Sequence, residues 1–234
     1  GTLDDGRPYL VLDYALRGTL HDHILRYGPL PWHQAARMGI QLAGALESAH
    51  RRGVLHRDVK PQNVLLSDTG APLLADFGSA LADALPDALP DALSNTDDGE
   101  GDAPVEPVRV VGSVPYCAPE VLDGSPATAL SDVYSLAATI FFLVAGVPPF
   151  VAAPDETLAG LYLRIARDLP PVAPSSPDGL VRLLDAALAK DPAHRPGGAL
   201  SFAIGLTDVL SAARRSAADL VVVPRPAAVR ALSA

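Results

Sequence analysis

A mainly helical fold with a few short β hairpins is what this 234-residue sequence predicts. The stretch after Pro31 carries apolar residues at helical period, and residues 129–144 are apolar nearly all round. Between those two stretches, residues 54–76 break into apolar pieces of two to four residues separated by polar turns, the pattern of short strands. Apolar residues make up 49% of the chain, enough to bury a sizeable core.

Each element follows from local chemistry. Pro8-Tyr9-Leu10-Val11-Leu12-Asp13-Tyr14 comes after the turn-forming Asp4-Asp5-Gly6-Arg7 and reads as a buried strand closing a hairpin. Gly18-Thr19-Leu20 opens a short helix that ends near Gly28-Pro29. Pro31 then starts a long helix to about Arg52, with Ala35, Met38, Leu42, Ala45, Leu46 and Ala49 on its apolar face and Gly53 as its terminator. Val54-Leu55, Val64-Leu65-Leu66 and Pro72-Leu73-Leu74-Ala75 are the β pieces, the last two joined by the turn Asp68-Thr69-Gly70. Further helices are expected at 129–144 (buried, ended by Gly146-Val147-Pro148-Pro149) and at about 155–167, 178–189 and 197–214. The tail from Ala217 carries prolines and small residues and reads as loosely ordered.

The segment 81–107 stands apart. Asp83-Ala84-Leu85-Pro86 repeats as Asp87-Ala88-Leu89-Pro90, and a proline at every fourth position is incompatible with a stable helix. Its eight acids (Asp83, Asp87, Asp91, Asp97, Asp98, Glu100, Asp102, Glu106) occur without a base and account for all but one of the nine net negative charges. That composition predicts a disordered insert. The remainder has no basic stripe for nucleic acid, no apolar run of membrane-spanning length and no signal peptide. The lone cysteine, Cys117, cannot form an internal disulfide, which fits a cytoplasmic setting. His21 and His23, two apart, read as surface residues. The chain opens on glycine, which reads as a fragment or a processed piece.

Chemistry concentrates in His56-Arg57-Asp58-Val59-Lys60-Pro61-Gln62-Asn63, where a carboxylate, an ammonium and an amide fall within six residues between short apolar runs. Asp76-Phe77-Gly78 follows a β piece, eighteen residues after Asp58. Gly112-Ser113-Val114-Pro115-Tyr116-Cys117-Ala118-Pro119-Glu120, Ser131-Asp132-Val133-Tyr134-Ser135-Leu136 and Asp191-Pro192-Ala193-His194-Arg195-Pro196 follow in that order. Taken singly, each could be a surface loop or a helix cap. Together they resemble the eukaryotic-like (Hanks-type) bacterial serine/threonine protein kinases from about residue 8 to 213. The alanine- and proline-rich style looks actinobacterial.

The resemblance implies a kinase-like fold: the large helical lobe (18–214) with the last strands of the small lobe and the hinge (1–17), and an activation segment over 79–118 that contains the acidic insert. It implies ATP and a magnesium or manganese ion as cofactors and proteins with serine or threonine as substrates. Asp58 becomes the base that orients the attacking hydroxyl, and Lys60, the serine/threonine-type choice, stabilises charge on the γ-phosphate. Asn63 and Asp76 hold the metal, and Ser113, where most members have threonine, hydrogen-bonds Asp58 and Lys60. Leu12 stands at the back of the adenine pocket, Asp13, Tyr14 and Ala15 form the hinge, and Leu65 lies against the base. Phe77, along with His56, packs under the helix that aligns the site, and Gly78 completes its motif. Glu120 pairs with Arg195 as a buried ion pair, and Asp132 accepts backbone N–H bonds from the catalytic loop. Arg57 matches kinases controlled by activation-segment phosphorylation, with Ser79, Ser94, Thr96 and Ser113 as candidate acceptors.

The family's glycine-rich loop, strand lysine and helix glutamate precede the hinge, and only seven residues precede Pro8 here. Two readings follow: a serine/threonine kinase, weak or inactive as this chain alone, or a non-catalytic, pseudokinase-like binding or scaffolding module. If the acidic insert is disordered, deleting residues 83–103 leaves the melting temperature within about 2 °C of wild type by scanning calorimetry. A large fall would mean that it packs on the domain.

Overall fold

The computed structural model describes residues 1–3, 7, 15–77 and 113–213. Helix α1 (Leu20–Tyr27) begins where the Thr19 hydroxyl accepts the Asp22 N–H at 3.1 Å. It ends where Gly28, at φ 85°, gives its N–H to the Ile24 carbonyl. Helix α2 (Trp32–His50) starts at Pro31 as predicted, and Gly53, at φ 72°, turns the chain away. Ala35, Met38, Leu42 and Leu46 are buried, whereas Ala45 and Ala49 are half-buried. Ala36, Gly39 and Ala43 are buried instead, because α2 is covered from two sides by the later helices Ala129–Ala145 and Ala199–Ala212.

The hairpin of β1 (Val64–Leu66) and β2 (Pro72–Leu74) is antiparallel, with Val64 opposite Leu74 and Leu66 opposite Pro72. Leu65 bridges Thr19, and the Leu66 N–H reaches the Gly18 carbonyl, so the hairpin is tied to the start of α1. Val54-Leu55 is not the expected β piece: it has no partner strand among the described residues, and the Val54 N–H bonds instead to Ala49 at the end of α2.

After a one-turn helix α3 (Pro119–Leu122), α4 (Ala129–Ala145) runs through the centre with every residue from 131 to 144 buried. Thr128 and Ser131 cap its start reciprocally, and Gly146 in the left-handed region closes its end. Helices α5 (Leu158–Arg167), α6 (Asp178–Ala187) and α7 (Ala199–Ala212) complete the fold. Helix α5 starts three residues later than expected because Glu156 accepts the Ala153 N–H and Thr157 is the cap. One main core joins α1, α2, α4, α6 and α7, and a smaller one gathers Val114, Phe150, Leu161 and Ile165. His21 and His23 are half-buried rather than on the surface, each against an aromatic ring: Phe142 at 5.7 Å and Tyr27 at 4.7 Å. No helix of the described residues is long and apolar enough to cross a membrane. The predicted strand 8–14, the insert 81–107 and the tail lie outside the described residues.

Helix α2 packs against α4 and α7 at Gly39 with no room for a side chain. A Cβ built there would collide with Ile140 Cδ1 and sit 2.9 Å from Leu206 Cδ1. Gly39→Val is therefore expected to destabilise the domain by about 1–3 kcal/mol through overpacking, measured as a lower urea midpoint.

Candidate active site

The loop 56–63 is held from beneath. Asp132, in the first turn of α4 and 1% exposed, accepts the backbone N–H groups of His56 and Arg57, both at 2.9 Å. His50 Nε2 lies 2.7 Å from the same carboxylate, a third contact that the sequence reading missed. Its one signal was position: it ends the helix that the Gly53 turn folds back under the loop. These bonds hold Arg57 at φ 69°, a left-handed conformation that is strained for a side chain of this kind.

The His56 ring links the two halves of the site. Its Nδ1 accepts the Asp58 N–H at 3.3 Å, so Nε2 carries the proton and donates to the Ala75 carbonyl at 2.9 Å. Burial lowers the pKa of this imidazole, with the Ala75 carbonyl, Asp132 and Asp58 opposing, which suits the neutral ring that this bonding requires. Phe77 rests against His56 with ring centroids 4.5 Å apart and remains 42% exposed. Asp76 is exposed, at φ 61°, a conformation that aspartate tolerates better than most residues.

Above this base the polar groups converge. Lys60 Nζ lies 2.6 Å from Asp58 Oδ2 and 2.6 Å from Ser113 Oγ. Asn63 Nδ2 donates to the same Asp58 oxygen at 2.7 Å and to the Asp58 carbonyl at 2.9 Å. Ser113 meets Asp58 through the shared ammonium. A small pocket beside Asp58 is lined by Arg57, Val59, Ser113, Tyr116, Cys117 and Ser135. Burial pushes the Cys117 thiol up to about 12, with Glu120 and Asp58 adding, so it is no nucleophile.

Asn63 spends its amide nitrogen on Asp58, which leaves its oxygen as the atom for a metal. Among the described residues no three His, Cys, Asp or Glu side chains form a metal cluster. One carboxylate (Asp76) and one amide oxygen fit a magnesium ion that keeps water and phosphate oxygens as its other ligands, rather than a closed protein cage. Ala15 and Leu65 are half-buried, whereas Leu12, Asp13, Tyr14 and Gly78 lie outside the described residues, as do Ser79, Ser94 and Thr96.

Across α4, Arg195 grips Glu120 with two bonds of 2.7 Å. The guanidinium is fully enclosed, donates also to the carbonyls of Ala189, Leu130 and Lys190, and lies 5.0 Å from the Tyr134 ring centroid. Ser131 Oγ adds a bond to Glu120 at 2.9 Å. This arrangement fixes the end of the segment that carries Ser113.

The fold and these motifs together define a phosphotransferase scaffold, and the chain belongs to the protein kinase domain family, whose model matches residues 2–203. Among its relatives is serine/threonine-protein kinase PknK of Mycobacterium bovis, 36% identical over 228 residues, which are 97% of this chain and 19% of that protein. A probable serine/threonine-protein kinase of Clostridium perfringens is 35% identical over 197 residues, 83% of this chain and 26% of the relative. PknL of Mycobacterium tuberculosis is 34% identical over 206 residues, 86% of this chain and 47% of the relative. The chain thus spans about a fifth of the length of PknK and under half of PknL.

The Glu120–Arg195 pair gives a stability prediction. For Glu120, burial raises the pKa, but the Arg195 and Ser131 bonds outweigh it and the net direction is down. A carboxylate lowered on folding contributes stability above its ordinary value near 4.5, and that contribution fades as pH falls through the lower folded value. Glu120→Ala should cost about 3–5 kcal/mol at pH 7 by leaving a buried guanidinium unpaired. In urea unfolding, the difference from wild type should shrink at acid pH.

Proposed function

We propose that this chain carries the catalytic machinery of a serine/threonine protein kinase, which moves the γ-phosphate of ATP to serine or threonine hydroxyls of protein substrates. The observation that carries the reading is one ammonium, Lys60 Nζ, shared at 2.6 Å between Asp58 and Ser113, with Asn63 on the same Asp58 oxygen. Two donors occupy Oδ2, so Oδ1 is the oxygen left to accept a proton from the acceptor hydroxyl and aim it. Lys60 reaches the place where charge develops on the transferring group. Asn63 and Asp76 would hold magnesium, or manganese in its place, whose chemistry is to neutralise the phosphates of ATP. Leu12, Asp13, Ala15 and Leu65 would line the adenine site. His56 and Phe77 keep the two loops in register, Gly78 would complete the Asp76 motif, and Arg57 would receive a phosphate on the activation segment. Soluble protein substrates in the cytoplasm fit this reading.

The alternative, a non-catalytic binding or scaffolding module, gives no use to an ammonium that joins a carboxylate to the serine of the activation segment. In the full-length protein, Asp58→Asn should lower transfer of labelled γ-phosphate to protein serine or threonine by about 10²–10⁴-fold without loss of folding. Wild-type rates in a clean preparation of the variant would refute the base assignment.

A further inference from the structure

Lys190 lies far from Asp58 in sequence and plays no part in the chemistry above. Its Nζ donates to the Ile165 carbonyl in the last turn of α5 at 2.6 Å and sits 4.4 Å from the centroid of the Phe150 ring. Among the described residues no carboxylate comes within ion-pair distance of it. Burial pushes its ammonium down to about 8, with Arg195 adding and Asp168 opposing. A lysine lowered on folding is disfavoured as a cation, so its charge costs stability below about pH 8, and the cost fades as pH rises above that value. The Ile165 bond and the Phe150 contact offset part of that cost. A methionine would fill the same space but leave the Ile165 carbonyl without this donor.

The neighbours supply another reason. Phe150 and Ile165, the two groups that Lys190 touches, pack with Leu161 and Val114 in the smaller core. Val114 directly follows Ser113, whose hydroxyl meets Lys60. The Lys190 carbonyl accepts Arg195 Nη2 at 3.0 Å, and Arg195 holds Glu120 at the other end of the same segment. Tyr162, on α5, donates to Asp123 just beyond Glu120 at 2.9 Å. One residue thus joins the two supports of segment 113–120, by its side chain to α5 and by its backbone to the ion pair.

We infer that Lys190 is a positioning residue for the protein substrate: it locks α5 against Phe150 and so sets the floor at Val114 and its neighbours on which the acceptor segment lies beside Asp58. This rests on the kinase reading above. The test uses the full-length protein with dephosphorylated casein as a generic acceptor, comparing wild type, Lys190→Met and Lys190→Arg. Lys190→Met should raise KM for casein about tenfold, with kcat and KM for ATP within about twofold and a melting temperature within about 5 °C of wild type. Lys190→Arg, which keeps the donor and the cation, should return KM to within about threefold of wild type. Amide exchange of residues 113–117 should be faster in Lys190→Met. An active wild type with unchanged casein KM and unchanged exchange in Lys190→Met overturns the role of the lysine alone, and so does a variant that loses melting temperature, kcat and both KM values together. A wild type that phosphorylates neither casein nor itself sinks the kinase reading and the substrate role with it.

Discussion

Asp132 is a carboxylate with 1% of its surface exposed, and three donors meet it: the N–H groups of His56 and Arg57 and the ring of His50. An isolated buried carboxylate costs several kcal/mol, so it persists only where its oxygens are satisfied. Here the donors and the N-terminal turn of α4 meet that need together. The consequence runs outward. Two successive N–H groups point at one carboxylate, and directly beyond them Arg57 turns the chain at φ 69°. That turn presents Asp58 to the opposite side, toward Lys60 and Asn63. Without the buried acid, the strained loop would have no reason to keep its shape.

Three consecutive residues of α4 then hold both sides of the site. The Leu130 carbonyl accepts Arg195, the Ser131 hydroxyl donates to Glu120, and Asp132 takes the loop 56–63. Helix α4 is buried along almost its whole length, so this platform cannot shift without disturbing the core. The proposed base and the segment that faces it are therefore referenced to one rigid element. The His56 bond to the Ala75 carbonyl extends the same reference to Asp76, the next residue in the chain.

The helices were legible because periodicity, Pro31, Thr19 and the glycines at 28, 53 and 146 act locally, and the structure departs from them by only a few residues. What escaped depended on tertiary contact. Val54-Leu55 has strand composition but no neighbour among the described residues to pair with, and composition cannot supply one. Ala45 and Ala49 yielded their places in the core to Ala36, Gly39 and Ala43 because two helices, not one, cover α2, which a single-face pattern does not reveal. His50 and Lys190 carry no motif of their own. Each acquires its partner, Asp132 or Ile165, only when a distant helix packs beside it. The motif residues at 56–63, 76–77, 113–120, 132 and 195 were visible because together they resemble the motifs of the protein kinases.

The arrangement around Lys60 also says what the proposed base has to do. A phosphoryl group passing through a loose transition state requires little proton removal before the bond to the leaving group is well broken. An acid in that role must aim a hydroxyl more than it must deprotonate it. The contacts of Asp58 match that demand: Lys60 and Asn63 hold Oδ2, the Asn63 amide also holds the Asp58 carbonyl, and the carboxylate plane is thereby set before any substrate arrives. The shared ammonium ties that plane to Ser113, so displacement of the segment carrying Ser113 would release one of the two groups that orient Asp58. Control of such a site therefore needs no change in the acid itself. It is enough to hold or release the segment that carries Ser113, through Glu120 and Arg195 at one end and through α5 at its side.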